Sequence, residues 1–334
     1  MTIYDISQKA GVSIATVSRV LNGNANVSEK TRKKVMDVIE KYDYAPNVFA
    51  RGLGLDSMNC VGILCADSSD IYLAKAVYYI EQGLRANGYN ALLACTGYDL
   101  ENRKKSLNMI VNQRVDCVIL VGSSFLEQND TDNSYIREAA AKMPVMLLNA
   151  DFDSENVYCV LCDDFKSTMD ATLWLMDHKH KKILYLYNSN SYSAIRKLSG
   201  YRSAILMKEQ TLDKNYELFY SGSRDDIDGV RELLLEARKK GLEFDAVLCA
   251  DDSLASGVIK YAKAAKLSIP KDLSVIGYNN SILTITCEPE LSSVDNHLQD
   301  QCEQLVKSCV QILSGEETPR KVIFSGELVE RSTT

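Results

Sequence analysis

From about Met58 onward the chain alternates between two hydrophobic patterns. Short continuous apolar runs (VGILCA, NALLAC, CVILVG, PVMLLN, VYCVLC) are separated by segments of helical period such as LAKAVYYIEQGLRANG and ENRKKSLNMIVNQR. The alternation resumes with KILYLY, ELFYSG, AVLCA and LSVIGY, separated by IRKLSGYRSAILMKEQ, IDGVRELLLEARKKG and ASGVIKYAKAAKL. A strand that is apolar at every position is covered on both faces, and strands alternating with helices predict parallel sheets of the α/β class. About nine or ten such units overfill one comfortable sheet, so the pattern predicts two doubly wound lobes. Open parallel sheets of this kind take ligands at the carboxyl ends of their strands.

Residues 2–55 follow a different pattern, all-α and compact. Thr2 and Asp5 have the spacing of a capping box at a helix start, and Gly11 is placed to end that helix in a left-handed conformation. Ser13 predicts the cap of a second helix, Ile14 to Leu21, which Asn22-Gly23 stops. Ser28 predicts the cap of a third, running to about Tyr42 with Val35, Val38, Ile39 and Tyr42 on one face. Three short helices with a tight turn between the first two form the helix-turn-helix layout.

Periodicity then sorts the faces of the second helix. Val17, Val20 and Leu21 point to the core, leaving Ile14, Ala15, Ser18 and Arg19 on the other side, at the end that enters a major groove. Arg19 can donate two hydrogen bonds to guanine, and Ile14 and Ala15 offer apolar contact to a thymine methyl. Tyr4, Ser13, Thr16, Asn22, Ser28 and Thr31 are hydroxyl and amide groups placed to grip phosphates, and Tyr4 also counts with the major-groove set. On spacing alone, the same helices could be an ordinary three-helix bundle with a solvated face.

Composition refines this picture. Residues 1–55 carry eight basic against five acidic side chains, and the remainder 30 against 40, giving the net −7 of the whole. A weakly basic head on an acidic body suits local phosphate contact without general coating of DNA. No apolar run approaches the roughly 18 residues of a membrane span, and no signal peptide is visible. A cytoplasmic protein without membrane partners is expected. Of the ten cysteines, Cys60, Cys65, Cys95, Cys117 and Cys249 lie in strand-like runs, where they read as small buried hydrophobes. Cys159 and Cys162 form a C-x-x-C, but nothing nearby completes a zinc set, so neither metal nor other cofactor is expected.

At GVSIATVSRVLNG, and again at VSEKTRKKV and YAPNVFARGL, the chain resembles the lactose/galactose repressor family. The resemblance implies that the second helix reads the major groove. It also implies that PNVFARGL is a hinge helix entering the minor groove through Asn47, Ala50 and Leu53. Leu53 holds the position of the family's intercalating leucine, an apolar wedge that kinks DNA. Physically, Asn47 to Leu55 is short for an isolated helix, and Gly52 and Gly54 weaken it further. The segment is therefore expected to order on DNA.

The resemblance continues through GYRSAI, DDSLASG and LSVIGYNN. It implies a periplasmic-binding-protein-like body whose chain crosses between lobes three times. The expected domains are 1–45, a hinge at 46–57 and a body at 58–334. Lobe one takes about 58–160 and 292–322, and lobe two about 161–291 and 323–330. Carried over by position, the effector residues are Ser69, Tyr72, Asn149, Arg196, Asp251 and Asn279. The chain departs from the family at Asp251-Asp252, where Asn-Asp is usual, and at Asn279, where Asp is common. Asp70-Ile71 likewise replaces Asn-Pro.

The resulting expectation is a dimeric, sequence-specific DNA-binding regulator, most simply a repressor, acting on a pseudo-palindromic operator. Its control would come from a hydroxyl-rich, sugar-like effector. Two alternatives share the body: control by a protein co-regulator, or a sugar-binding transport protein. No phosphate loop, metal-binding histidine pair or G-x-S-x-G nucleophile turn suggests an enzyme, and no catalytic residues are assigned.

Overall fold

The computed structural model describes residues 1–21, 26–44, 57–209 and 211–334. The expectations for Asn22, Asn47, Ala50 and Leu53 lie outside the described residues. By its internal contacts the chain divides into Met1–Asn59 and Cys60–Thr334.

The first unit contains α1 (Ile3–Ala10), α2 (Ile14–Leu21) and α3 (Glu29–Lys41). Thr2 and Asp5 form a reciprocal capping box, with the Thr2 amide donating to Asp5 Oδ2 at 2.8 Å. Gly11 ends α1 at φ +59°, the left-handed conformation glycine adopts without penalty. Ile6, Ala10, Val17, Val20 and Val35 are buried together, with Val38 and Ile39 packed against them. Tyr42 departs from the expectation: it is exposed, with Lys9 Nζ 4.5 Å above its ring centroid.

The second unit is built on two six-stranded sheets. The first sheet runs through β1 (Cys60–Cys65), β2 (Asn90–Cys95), β3 (Cys117–Val121), β4 (Val145–Leu148), β5 (Val157–Cys162) and β11 (Lys321–Phe324). They lie in the order β11-β5-β4-β3-β1-β2, all parallel. Helices α4 (Ile71–Ala86), α5 (Leu100–Asn112), α6 (Ser134–Ala140) and α12 (Leu298–Leu313) belong to this lobe.

The second sheet contains β6 (Ile183–Tyr187), β7 (Glu217–Phe219), β8 (Ala246–Cys249), β9 (Ser274–Tyr278), β10 (Ser292–Asp295) and β12 (Glu327–Val329). Their order is β12-β10-β9-β8-β6-β7. Helices α7 (Asp164–Asp177), α8 (Tyr192–Glu209), α9 (Ile227–Lys239) and α10 (Asp252–Ala265), and the short α11 (Leu283–Thr286), cover it.

Every residue of β3, β4, β8 and β9 is buried, as continuous apolar runs in double-covered sheets require. Two features differ from the sequence expectation. The return to the first lobe, expected at about 292, comes after Asp295, because β10 pairs in register with β9 (Ser292 with Ile276, Val294 with Tyr278). β12 is antiparallel to β10. The chain reaches this edge of the second sheet from β11 of the first after only Ser325 and Gly326.

Candidate functional site

In the head, the predicted DNA-facing side chains fall on the face away from the buried cluster. Tyr4, Ser13, Ile14, Ala15 and Arg19 are exposed, whereas Thr16 and Ser18 are half-buried. Ser13 and Thr16 share a hydroxyl–hydroxyl bond of 2.9 Å, and so do Ser28 and Thr31. Each serine also accepts the amide of its partner, at 3.2 and 3.3 Å respectively. These four hydroxyls therefore shape the starts of α2 and α3, where free backbone N–H groups and the helix dipole favour an anion.

In the body, a cleft open to solvent lies between the two sheets. Its walls come from the carboxyl ends of strands in both lobes: Asp70 beyond β1, Ser123 beyond β3, Asn149 beyond β4, Asn188 beyond β6, Asp251 beyond β8 and Asn279 beyond β9. Each parallel strand ends its ladder there, and the following loop presents polar groups.

Four of the six expected effector residues line this cleft: Tyr72, Asn149, Asp251 and Asn279. Asp251 caps α10, accepting the Leu254 amide at 2.8 Å, and takes a second bond from Asn188 at 3.1 Å. Asn279, at φ +98°, accepts from Asn296 at 3.1 Å. Asn149 sits at φ +62°, and its Oδ1 is buried without a partner. The Tyr72 hydroxyl is also buried and unpartnered, and burial pushes its pKa well above the ordinary value, which keeps it a donor.

The other two expected residues lie elsewhere. Ser69 is exposed, and its amide and hydroxyl both turn to Asp67 Oδ1, at 2.8 and 2.7 Å. Arg196 sits in a separate hollow with Tyr192 and Lys321, 3.6 Å from Asp163 and over the Phe165 ring. Successive residues of an α-helix are about 100° apart, so its neighbour Lys197 enters the cleft instead.

Lys197 is buried, donates to the Ala250 carbonyl at 3.0 Å and lies over the Tyr278 ring. Burial lowers the Lys197 pKa, against the opposing pull of Asp164. Asp164 in turn accepts from Tyr278 at 2.6 Å and Ser193 at 2.5 Å. Helical period could have found Lys197, because Ala194, Tyr201, Ala204 and Ile205 mark the buried face of α8 and Lys197 falls on it. Arg224, in the loop after β7, also lines the cleft, and no periodic signal announces it.

Asp252 completes the floor. Its carboxylate accepts from the Ser293 hydroxyl at 2.6 Å and the Ser281 amide at 2.7 Å, yet burial raises its pKa to about 6. Gly277 is required beside it, since a Cβ there would stand 2.3 Å from Asp252 Oδ1.

A helix-turn-helix head joined to a two-lobed, ligand-cleft body defines a DNA-binding transcriptional regulator. The chain belongs to the lacI family of bacterial regulatory proteins, whose model matches residues 2–47, and a periplasmic-binding-protein-like domain model matches residues 174–334. It is 51% identical, over 100% of its length and 99% of the relative's, to an HTH-type transcriptional regulator of Lachnoclostridium phytofermentans. It is 28% identical to the HTH-type transcriptional regulator AscG of Escherichia coli, over 99% of the chain and 98% of the relative.

Among solved structures, the Lac repressor dimer bound to operator and an anti-inducer matches with a TM-score of 0.87 at 23% identity, covering 100% of this chain and 98% of that one. A transcriptional regulator CelR–cellobiose complex matches with a TM-score of 0.71 at 24% identity, covering 100% of both chains. At these identities the structural likeness shows the fold. Among the described residues no helix is long and apolar enough to cross a membrane.

Proposed function

We infer that this regulator is a dimeric repressor that binds a pseudo-palindromic operator and is controlled by a small hydroxyl-rich effector, a sugar or sugar derivative, in the inter-lobe cleft. The observation that carries the effector class is the polar lining of the cleft, which includes Asn149 and Tyr72, residues whose Oδ1 and Oη are buried without a partner. Each costs on the order of 1–3 kcal/mol while unpaired. One is an acceptor and the other a donor, and a hydroxyl can answer either. The cellobiose bound in one neighbour of the same fold agrees with such a ligand.

The DNA side rests on Ile14, Ala15, Ser18 and Arg19 reading base edges, with Tyr4 beside them. Ser13, Thr16, Asn22, Ser28 and Thr31 act at the phosphates, and Asn47, Ala50 and Leu53 in the minor groove. Dimerisation is supported by large apolar side chains left exposed on the body, including Tyr78, Leu93, Ile282 and Ile285. The protein works by binding rather than turnover, in the cytoplasm where its DNA lies.

The test begins with selection of an operator from randomised DNA by the full-length protein. Anisotropy titrations would follow, with and without cellobiose, glucose and other neutral sugars. At least one sugar is expected to change operator affinity, and operator to change the affinity for that sugar by the same factor. Operator binding that no sugar alters would set the effector class aside while leaving the DNA-binding role standing.

A further inference from the structure

Asp70 does two things at once across the cleft. Its Oδ1 caps α4, accepting the Leu73 amide at 3.0 Å, while its Oδ2 accepts from Arg224 Nη1 at 3.1 Å. Asp70 belongs to the first lobe and Arg224 to the second, so this ion pair bridges the cleft mouth. The Arg224 guanidinium also lies 5.0 Å from the centroid of the Tyr98 ring, a first-lobe residue on the same wall. Tyr98 therefore fixes where the guanidinium sits, and Asp70 supplies its counter-charge.

We propose that Asp70 is a specificity-determining residue: by occupying Arg224 it makes the cleft accept uncharged polyhydroxylated ligands and refuse phosphorylated or carboxylated ones. The inference deepens the sugar-effector reading and rests on it. An unpaired arginine at a cleft mouth is a ready partner for phosphate or carboxylate, because its fork of donors matches their oxygens. Here one arm of that fork, Nη1, already donates to Asp70, whose carboxylate sets a negative charge against the guanidinium.

The remaining charges point the same way. The cleft lining holds three carboxylates, Asp70, Asp251 and Asp252, against two cations, Lys197 and Arg224. Lys197 is lodged against the Ala250 carbonyl and the Tyr278 ring and faces Asp164, Asp251 and Asp252. An anion reaching it would lie beside the Asp251 carboxylate, in a partly dehydrated site where like charges repel strongly. The buried partners still on offer, Asn149 Oδ1 and the Tyr72 hydroxyl, are neutral.

Asp70→Asn isolates the idea. Asparagine caps helices as well as aspartate does, so its oxygen can keep the Leu73 amide while its amide nitrogen, a donor, faces Arg224 and cannot pair with it. Full-length wild type, Asp70→Asn and Asp70→Asn/Arg224→Ala would be titrated calorimetrically with cellobiose, glucose 6-phosphate and inorganic phosphate. Thermal unfolding of each would confirm that α4 is intact.

Wild type is expected to show no measurable affinity for either phosphate. Asp70→Asn should gain at least about tenfold in affinity for them, and Arg224→Ala should erase the gain. The proposal is overturned if wild type takes glucose 6-phosphate as tightly as a neutral sugar. It is equally overturned if Asp70→Asn gains nothing, or if the gain survives loss of Arg224. Failure of every neutral sugar to bind wild type would instead count against the effector class. The phosphate titrations of the variants still decide whether Asp70 silences Arg224.

Discussion

Lys197 holds its ammonium group 3.5 Å from the centroid of the Tyr278 ring, whose hydroxyl donates to Asp164 at 2.6 Å. A cation, an aromatic face and a carboxylate, drawn from α8, β9 and α7, thus converge at the floor of the cleft. The cation–π contact is of the desolvated kind, worth on the order of 2 kcal/mol.

Lys197→Met keeps the bulk and removes the donor. Hydrogen bonds to charged groups contribute about 1.5–3 kcal/mol, so the affinity for a bound sugar should fall about tenfold or more by calorimetry. Arg196→Ala, one position earlier but in a different hollow, should leave it within about twofold. Equal losses in the two variants would return Arg196 to the site.

Asp252 makes stability depend on pH in an unusual direction for a carboxyl. Its folded pKa is raised to about 6 from an ordinary 3.8, so the folded protein holds this proton more tightly than the unfolded chain. The associated stabilisation is fully present below the ordinary value and is lost as pH rises through about 6, a change of about 3 kcal/mol. Chemical unfolding of wild type and Asp252→Asn from pH 3 to pH 7 should show wild type losing most of that amount relative to the variant. A constant difference would show that Asp252 ionises normally.

Gly200→Ala should destabilise the body although alanine is the better helix former. A Cβ at Gly200 would stand 2.2 Å from the Phe165 carbonyl oxygen and 3.0 Å from the Met169 nitrogen, both backbone atoms of α7. Overpacking of this kind costs typically 1–3 kcal/mol, against a helix gain of roughly 1. A urea midpoint that rises on substitution would contradict the tight α7–α8 packing.

Arg19→Ala should weaken binding to a selected operator by about 1–3 kcal/mol and relax the preference at one base position. A uniform loss over all sequences, with a shallower salt dependence, would instead make Arg19 a phosphate contact.

The elements were legible because their signals are local. The Thr2–Asp5 box, the left-handed Gly11 and the Ser28 cap are short-range devices, and the buried runs of β3, β4, β8 and β9 have the composition of double-covered strands. The lobe boundary after Asp295 was less legible, since only pairing with β9 decides which sheet claims Ser292–Asp295. Four cleft residues, Tyr72, Asn149, Asp251 and Asn279, followed from the family resemblance carried over by position. Arg196 failed by one residue, a third of a helical turn, and Ser69 failed because Asp67 captures it. Arg224 was invisible for a different reason: its role depends on Asp70, 154 positions away.

The three strands of chain that pass between the lobes set what motion is available, and Gly326 lies in one of them, between β11 and β12. A Cβ at this position would press on Ser167 Oγ at 2.8 Å and on the Asp295 carbonyl at 3.0 Å, the latter at the edge of a second crossing. The Gly326 amide already donates to that same Ser167 oxygen at 3.1 Å. One methyl group here would press on two crossings at once, so that either the Ser167 side chain or the crossing backbone must give way, far along the chain from the DNA-facing helices. Natural or laboratory variants at this glycine are therefore the place to look for regulators with an altered threshold but an unaltered operator and effector.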